Sequence, residues 1–406
     1  MKIYQVGGSI RDKLLGLPIT DRDWLVVGST PDEMYSLGYK AIGSDFPVFL
    51  HPDTHEEYAL ARTERKTSPG YKGFSFHAAE DVTLEQDLLR RDLTINAIAE
   101  DESGRLFDPF NGKADLENKI LRHVSPAFIE DPLRVLRIAR FAARFNFAIA
   151  PETMDIMKDI SESGELSALV PERIWAELDK TFGYNYANRF FKVLRECNAL
   201  KQIFPEIDSL FGVPQPENHH PEIDTGVHTM MVLDQAIELS EDKTVRFAAL
   251  VHDLGKATTP KDILPKHKGH EERGVKIVKA FCSRLKIPNR YRDLAIIVCR
   301  FHLICHTINE LRADTVVKKL EAMDAFRRPE RFYQFLIACE ADAKGRTGFT
   351  DTEYPQAAQF RKYFDIANTI KMDTVITDEM KGPEIAKAVH QLRINAIIES
   401  KQSLSG

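Results

Sequence analysis

Two aspartates, Asp21 and Asp23, open the apolar, β-prone run Trp24-Leu25-Val26-Val27. Side chains alternate faces along a strand, so both carboxylates face the same way. Two such charges about 4 Å apart repel by roughly 4 kcal/mol at an effective dielectric of ~20. A divalent cation between them removes that cost, and Mg²⁺ suits the pair best because it takes one or two carboxylates together with phosphate oxygens. Upstream, Val6-Gly7-Gly8-Ser9-Ile10-Arg11 turns a strand pattern into a helical one through two glycines. Glycines let the backbone approach a triphosphate, and Arg11 offers it a charge-assisted partner. Either motif alone is common; together they point to phosphate chemistry.

Two further motifs extend this reading. In Arg90-Arg91-Asp92-Leu93-Thr94-Ile95-Asn96-Ala97 the apolar residues around Asn96 predict partial burial, where charged groups need partners. A nucleotide offers them: phosphate for Arg91 and a ribose hydroxyl for Asp92. In Glu130-Asp131-Pro132-Leu133-Arg134-Val135-Leu136-Arg137-Ile138-Ala139-Arg140-Phe141, arginines recur at helical spacing at 134, 137, 140 and 144. The stripe lacks interleaved acids, which favours a polyanion partner over a merely solvated face.

A second region stands apart. Eight of the thirteen histidines fall between His219 and His306. His252-Asp253 ends the apolar run Val245 to Val251 and precedes Leu254-Gly255-Lys256, with His228 on an earlier helical pattern and Asp342 on a later one.

The elements that must position these residues follow two regimes. Residues 1 to about 120 read as mixed α and β, with strand candidates near the N-terminus and at Trp24 to Val27, Val48 to Leu50, Glu57 to Arg62 and Leu106 to Asp108. Thr63 to His77, polar and carrying Lys66, Gly70, Lys72 and Gly73, reads as a mobile loop near the site. After Pro126 the periodicity is helical: Pro132 to Phe145, Pro151 to Ser161, Pro171 to Phe182 and Ala187 to Leu194, with Pro or another residue suited to a helix start at each N-terminus. Pro205 to Pro221 reads as a linker, and helical patterns resume from Thr225, through His228 to Leu239, Thr244 to Leu254, Glu271 to Leu285, Tyr291 to His302, Ala313 to Asp324 and Pro329 to Ala343. The last fifty residues carry no legible motif.

At 406 residues the chain exceeds one core and implies two to four domains. Its 43% hydrophobic and 29% charged content is ordinary for a globular protein, and no apolar run approaches the ~18 residues of a membrane span. The first strand pattern begins at Met1, leaving no room for a signal peptide, and five cysteines without a Cys-x-x-Cys pair fit reduced thiols. A soluble, cytoplasmic protein is expected. The net charge of -6 does not exclude a nucleic-acid partner, because it averages over surfaces that never meet the ligand.

Taken in order, Gly7-Gly8-x-x-Arg11, Asp21-x-Asp23, Arg90-Arg91-Asp92-x-x-x-Asn96-Ala97 and Glu130-Asp131-x-x-Arg134-x-x-Arg137-x-x-Arg140-Phe141 resemble the class II tRNA nucleotidyltransferases, the CCA-adding enzymes. The resemblance implies an α+β fold: a nucleotidyltransferase head with a small mixed or antiparallel sheet at 1–122, then an all-α connector at 123–204 for nucleobase selection and tRNA contact. It implies Gly8, Arg11, Arg91, Arg137 and Arg140 as nucleotide ligands, and Asp21 and Asp23 as catalytic ligands of Mg²⁺. CTP, ATP and tRNA are the implied substrates. Asp131 and Arg134 become the base-selecting pair, since cytosine and adenine present an amine donor beside a ring-nitrogen acceptor. Uracil and guanine reverse that pattern and leave both partners unsatisfied. Arg22, between the aspartates, departs from the apolar residue common there and predicts an exposed or salt-bridged outer face, and Glu57 is the candidate third carboxylate.

His228, His252-Asp253 and Asp342 in turn resemble HD-domain phosphohydrolases. That likeness implies an all-α HD domain at 205–406, its core at about 228–343, with these four side chains on a divalent transition metal, Ni²⁺ among the candidates. His252 and Asp253 are then catalytic, acting on 2′,3′-cyclic phosphates and 2′-nucleotides. His267, His270, His302 and His306 either join that site, bind phosphate or lie at the surface. The rival readings are a poly(A) polymerase, which shares the head motifs, and an HD phosphohydrolase whose head only senses nucleotide. No membrane partner is expected, and the protein is a monomer or homodimer.

Overall fold

The computed structural model describes residues 1–19, 21–42, 48–66, 74–77, 80–371 and 382–402. The chain divides into two compact units, Met1–Thr181 with Arg189–Ile203, and Phe182–Asn188 with Phe204–Gly406.

The first unit is built on a seven-stranded mixed sheet. Its strands are β1 (Lys2–Val6), β2 (Asp23–Val27), β3 (Lys40–Ile42), β4 (Val48–Leu50), β5 (Glu57–Leu60), β8 (Ala99–Asp101) and β9 (Leu106–Phe107), in the order β3-β4-β5-β2-β1-β8-β9. All neighbours are antiparallel except β2 and β5. Alternation along β2 sends Leu25 to one apolar cluster with Tyr4, Val6 and Ala61, and Val26 to another with Met34, Phe49, Tyr58 and Leu60. Both faces are therefore packed, and Asp23 shares the face of Leu25. The stretch read as a loop instead contains two paired strands, β6 (Thr63–Lys66) and β7 (Phe74–His77). Gly70, Lys72 and Gly73 lie outside the described residues.

Around the sheet lie short helices α1 (Gly8–Leu14), α2 (Pro31–Ser36), α3 (Leu84–Leu89) and α4 (Gly112–Glu117). The parallel pair β10 (Ile120–Leu121) and β11 (Ala148–Ile149) brackets α5 (Leu133–Phe145). Next come α6 (Pro151–Glu162), α7 (Pro171–Thr181), α8 (Asn188–Glu196) and α9 (Leu200–Ile203). Helix α5 buries Leu133, Val135, Leu136, Ile138 and Phe141, packs on α7 and ends at Asn146 in the left-handed region, a usual helix stop.

In the second unit α10 (Pro205–Asp208) leads to α11 (Thr225–Leu239), α12 (Lys243–Val251), α13 (His270–Arg284), α14 (Asn289–His306), α15 (Ala313–Ala322), α16 (Pro329–Lys344), α17 (Pro355–Asn368) and α18 (Gly382–Gln402). Helix α12 is buried from Thr244 to Val251 and packs on α11, α14 and α16. Val232, Ala236, Ala249 and Ala341, all fully buried, let these backbones approach closely. The Pro205 to Pro221 stretch folds onto this unit rather than linking freely: Gln215 is buried and Pro214 bridges to Asp224.

Candidate active sites

The register of β1 on β2 places Val6 opposite Asp23, and that of β5 on β2 places Glu57 opposite Asp23. The turn that follows Val6 therefore lies beside the carboxylate. Gly7 adopts φ 73°, and a side chain there would meet Arg91 Nη1 at 2.8 Å, so only glycine serves. Desolvation raises the Asp23 carboxyl pKa, as does the neighbouring Asp21 charge, against the pull of Arg91 and Arg11. A carboxylate pair under this strain fits a divalent cation, which removes the repulsion. Because β2 begins only at Asp23, Asp21 and Arg22 precede the strand instead of opening it; Arg22 is exposed and stands 3.8 Å from Glu56.

Gly7, Gly8, Arg11, Asp23, Arg90, Arg91, Asp92, Asn96, Asp131, Arg134, Arg137 and Arg173 line one cavity of about 440 Å³. Its cations are held by acids, some local and some from other elements. Asp87, fully buried, pairs with Arg90 at 2.7 Å and Arg91 at 3.2 Å. Asp92 accepts from Leu93 N at 2.9 Å, Asn96 Nδ2 at 2.9 Å and Arg137 Nε at 2.7 Å. Burial opposes the Asp92 charge, yet Arg137 and Asn96 hold its carboxyl far below the ordinary range. Both oxygens are engaged, so Asp92 holds Arg137 and Asn96 in place while lining the same cavity. Asn96 Oδ1 in turn accepts from Arg11 Nη1 at 2.6 Å.

The arginine stripe of α5 is balanced by acids from elsewhere in the chain. Arg140 does not line the cavity; it is buried and donates to Glu177 Oε2 of α7 at 2.5 Å. Arg144 pairs with Asp12 at 2.9 Å. The neutralising acids are distant in sequence, so the stripe only looks unbalanced when α5 is read alone. Arg134 donates to the carbonyls of Ala127 at 2.8 Å and Arg90 at 2.7 Å, which fixes its guanidinium plane. Asp131 Oδ1 accepts from Leu133 N at 3.0 Å and Oδ2 from Arg173 Nη2 at 3.0 Å. Arg173 and Glu177 escaped the sequence reading; their i, i+4 spacing on a predicted helix was the available signal.

The second site gathers all four residues expected of it. His228 Nε2 lies 3.1 Å from Asp342 Oδ1, and His252 Nε2 lies 3.1 Å from Asp253 Oδ2 and 3.5 Å from Asp342 Oδ1. Each is at most 4% exposed. The other ring nitrogens face acceptors: His252 Nδ1 donates to Ala249 O at 2.7 Å, and His228 Nδ1 lies 3.0 Å from Gly345 O and 3.1 Å from Glu222 Oε1. With Nδ1 carrying the proton, each Nε2 presents a lone pair to carboxylate oxygens, which only a cation reconciles. Among the described residues His252 Nε2 and both Asp253 oxygens are buried without a hydrogen-bond partner, though the Lys256 ammonium stands 2.6 Å from Asp253 Oδ2. Burial works against a charged His252, but Asp253 and Asp342 hold it up at about 10, so a proton takes the cation's place when the cation is absent. The donor set fits a divalent transition metal.

His306, on a helix α14 that runs one turn beyond its predicted end, donates to Asp342 Oδ2 at 2.8 Å and accepts from the Tyr354 hydroxyl at 2.7 Å. His267 has both nitrogens engaged, with Thr259 Oγ1 at 2.8 Å and Pro214 O at 3.1 Å, and joins no ligand cluster. His270 and His302 face the other oxygen of Asp253. Glu222 was missed because it sits in a segment rich in Pro, Asn and His; it binds His220 Nδ1 at 3.0 Å as well as His228. Ile223 beside it adopts φ 61°, an unusual value for a β-branched residue.

Comparison with known families agrees with this geometry. Residues 3–122 match the Poly A polymerase head domain, 146–211 the "probable RNA and SrmB- binding site of polymerase A", and 225–328 the HD domain, with Asp342 beyond the matched span. The crystal structure of the Bacillus stearothermophilus CCA-adding enzyme in complex with CTP superposes with a TM-score of 0.64 over 98% of this chain and 89% of that one, at 22% identity, a likeness of fold. The multifunctional CCA protein of Thioalkalivibrio sulfidiphilus is 59% identical and that of Nitrosococcus oceani 56% identical, each over 100% of both chains. With that identity along its entire length, the chain belongs to the multifunctional CCA proteins.

Proposed function

We propose that this enzyme builds and repairs the 3′-terminal CCA of tRNA from CTP and ATP without a nucleic-acid template, and hydrolyses phosphate esters in its HD domain. The cavity lined by Gly8, Arg11, Asp23, Arg91, Asp131, Arg134 and Arg137 is the observation that carries the first activity. Residues 1–122 act as the catalytic head, 123–204 as the base-selecting connector and 205–406 as the HD domain.

In the head, Asp21 and Asp23 would hold Mg²⁺, with Glu57, opposite Asp23 on β5, as the candidate third carboxylate. The metal supplies charge stabilisation at the α-phosphate and makes the tRNA 3′-hydroxyl a better nucleophile. Arg11, Arg91 and Arg137 bind the triphosphate and orient the departing pyrophosphate, while the glycine turn lets the backbone come close. Asp131 accepts from the base amine and Arg134 donates to the ring nitrogen. Both are pinned before the base arrives, so a mismatched base cannot be met by rotating them. In the HD domain His228, His252, Asp253 and Asp342 would hold a transition metal such as Ni²⁺, and the metal supplies a hydroxide near neutral pH. The substrates there are 2′,3′-cyclic phosphates and 2′-nucleotides. No helix among the described residues is long and apolar enough to cross a membrane, and we place the enzyme in the cytoplasm as a monomer or homodimer.

The poly(A) polymerase reading shares the head but not the full-length relatives. The purified chain, given tRNA lacking its 3′ end with CTP, ATP and Mg²⁺, should add two C residues and one A. A-tracts without CMP incorporation would overturn the proposal. Arg134→Ala should slow addition by about 10²-fold and admit UMP; unchanged discrimination against UTP removes Arg134 from base selection.

A further inference from the structure

Asp87 sits on α3 behind the nucleotide cavity and does not line it. It is fully buried, and its two oxygens serve different ends of the nucleotide site. Oδ2 accepts from Arg91 Nη2 at 3.2 Å, the guanidinium assigned to the triphosphate. Oδ1 accepts from Arg90 Nη2 at 2.7 Å, from Arg90 Nε at 3.1 Å and from Arg62 N at 3.3 Å. Arg90 Nε also donates to Arg62 O at 3.1 Å, which ties the Arg90 side chain down a second time. The Arg90 carbonyl in turn accepts from Arg134 Nη2 at 2.7 Å, the guanidinium assigned to the base. A single carboxylate and one intervening residue thus join the phosphate end of the cavity to its base end.

The segment that carries Asp87 is itself fixed. Thr83 Oγ1 accepts from Gln86 N at 3.2 Å and Gln86 Oε1 accepts from Thr83 N at 2.8 Å, a capping box that sets the start of α3. Leu88 is fully buried, and Ser125 Oγ donates to Leu89 O at 2.9 Å just past the carboxylate. Burial opposes the Asp87 charge, yet Arg90 and Arg91 hold its carboxyl below the ordinary range, so it stays an acceptor on both oxygens.

We infer that Asp87 is a positioning residue for nucleotide addition: by holding Arg91 directly and Arg134 through the Arg90 carbonyl, it fixes the distance between triphosphate and base. The two guanidiniums move only together. A base that fails to satisfy Asp131 and Arg134 therefore cannot slide along the cavity to regain contact without leaving Arg91. Poor base recognition is converted into a displaced α-phosphate, and a displacement of about 1 Å costs roughly 10²-fold in rate.

This inference rests on the nucleotide-addition reading of the head, and its test separates the two. The full chain is first given tRNA lacking its 3′ end, CTP and Mg²⁺; no CMP added overturns both. With an active parent, Asp87→Asn keeps the side-chain shape and removes the charge. It should raise the KM for CTP about tenfold and the ratio of UMP to CMP incorporated about tenfold, with a smaller fall in kcat. Added to Arg91→Ala, the same substitution should have no further effect on KM; added to Arg134→Ala, none on the ratio, because residues that act through one another are not additive. A fall in kcat with KM and ratio unchanged, or effects that simply add, would leave Asp87 a part of the fold alone and overturn the inference with the head reading intact. Should Asp87→Asn fail to fold, Arg90→Ala decides instead: it unbraces the carbonyl that holds Arg134 and should raise the UMP to CMP ratio more than the KM for CTP, and an unchanged ratio overturns the inference.

Discussion

In the head, cations converge on an open cavity and are restrained by acids, an amide and backbone carbonyls; in the second unit, lone pairs converge on a buried point and each ring is restrained by a carbonyl or carboxylate. Arg11 is held by Asp12 and Asn96, Arg91 by Asp87 and Arg137 by Asp92. Gly345 and Ala249 take the Nδ1 side of His228 and His252 and so aim each Nε2 at the carboxylates. The first arrangement is stable until an anion arrives, and the second until a cation does. One polypeptide thus prepares for opposite charges by the same device, polar side chains whose orientation is settled in advance. The desolvation that makes each site strong also makes each intolerant of losing one partner.

The sharpest way to break the comparison is to remove one carboxylate from each site. Asp23→Ala should lower nucleotide addition by more than about 10³-fold, ~4 kcal/mol of barrier, and leave phosphohydrolysis intact. Asp253→Ala should do the reverse. Paired assays on folded variants check this, and loss of both activities in either one contradicts independent sites.

Asp92→Asn probes the restraint on Arg137. Its folded-state pKa is depressed, so its contribution is present above the ordinary carboxylate value of about 3.9 and is lost as pH falls toward the folded value. At pH 7 the substitution should cost about 2 kcal/mol, less than the roughly 3–5 of a fully buried pair because Arg137 is a third exposed. Denaturation curves at pH 7 and pH 3 should show the difference narrowing at the lower pH; a constant gap would mean that Asp92 contributes by packing. The gentlest change, Glu222→Gln, leaves an acceptor beside His228 but no charge, and should weaken metal binding in the second unit about tenfold by competition titration. An unchanged affinity would assign the orientation of His228 to Gly345 alone.

Much of this was legible in one dimension. The glycine turn and Asp23 are close in sequence and meet through the pairing of β1 with β2, whereas Asp21 lies before the strand, where alternation does not orient it. His228, His252, Asp253 and Asp342 declared themselves by residue type on helical patterns. What stayed hidden was pairing across long separations: Asp12 with Arg144, Glu177 with Arg140 and Asp92 with Arg137. An unpaired arginine in the sequence looks the same as one whose acid arrives from another helix. Glu222 was hidden for a different reason, since its role depends on a turn with Ile223 in the left-handed region, which no residue there advertises.

The pairing of Val6 with Asp23 has one more consequence. Leu25 and Val26 belong to separate apolar clusters on opposite faces of the sheet, so sliding β2 by one residue would exchange those faces and press each side chain into packing shaped for the other. That same slide would carry Asp23 to the far side, away from the glycine turn. The hydrophobic core thus acts as an inspector of the catalytic machinery: a chain that assembles its sheet out of step is denied stability as well as activity, and misassembled copies are removed by unfolding before they can process RNA incorrectly.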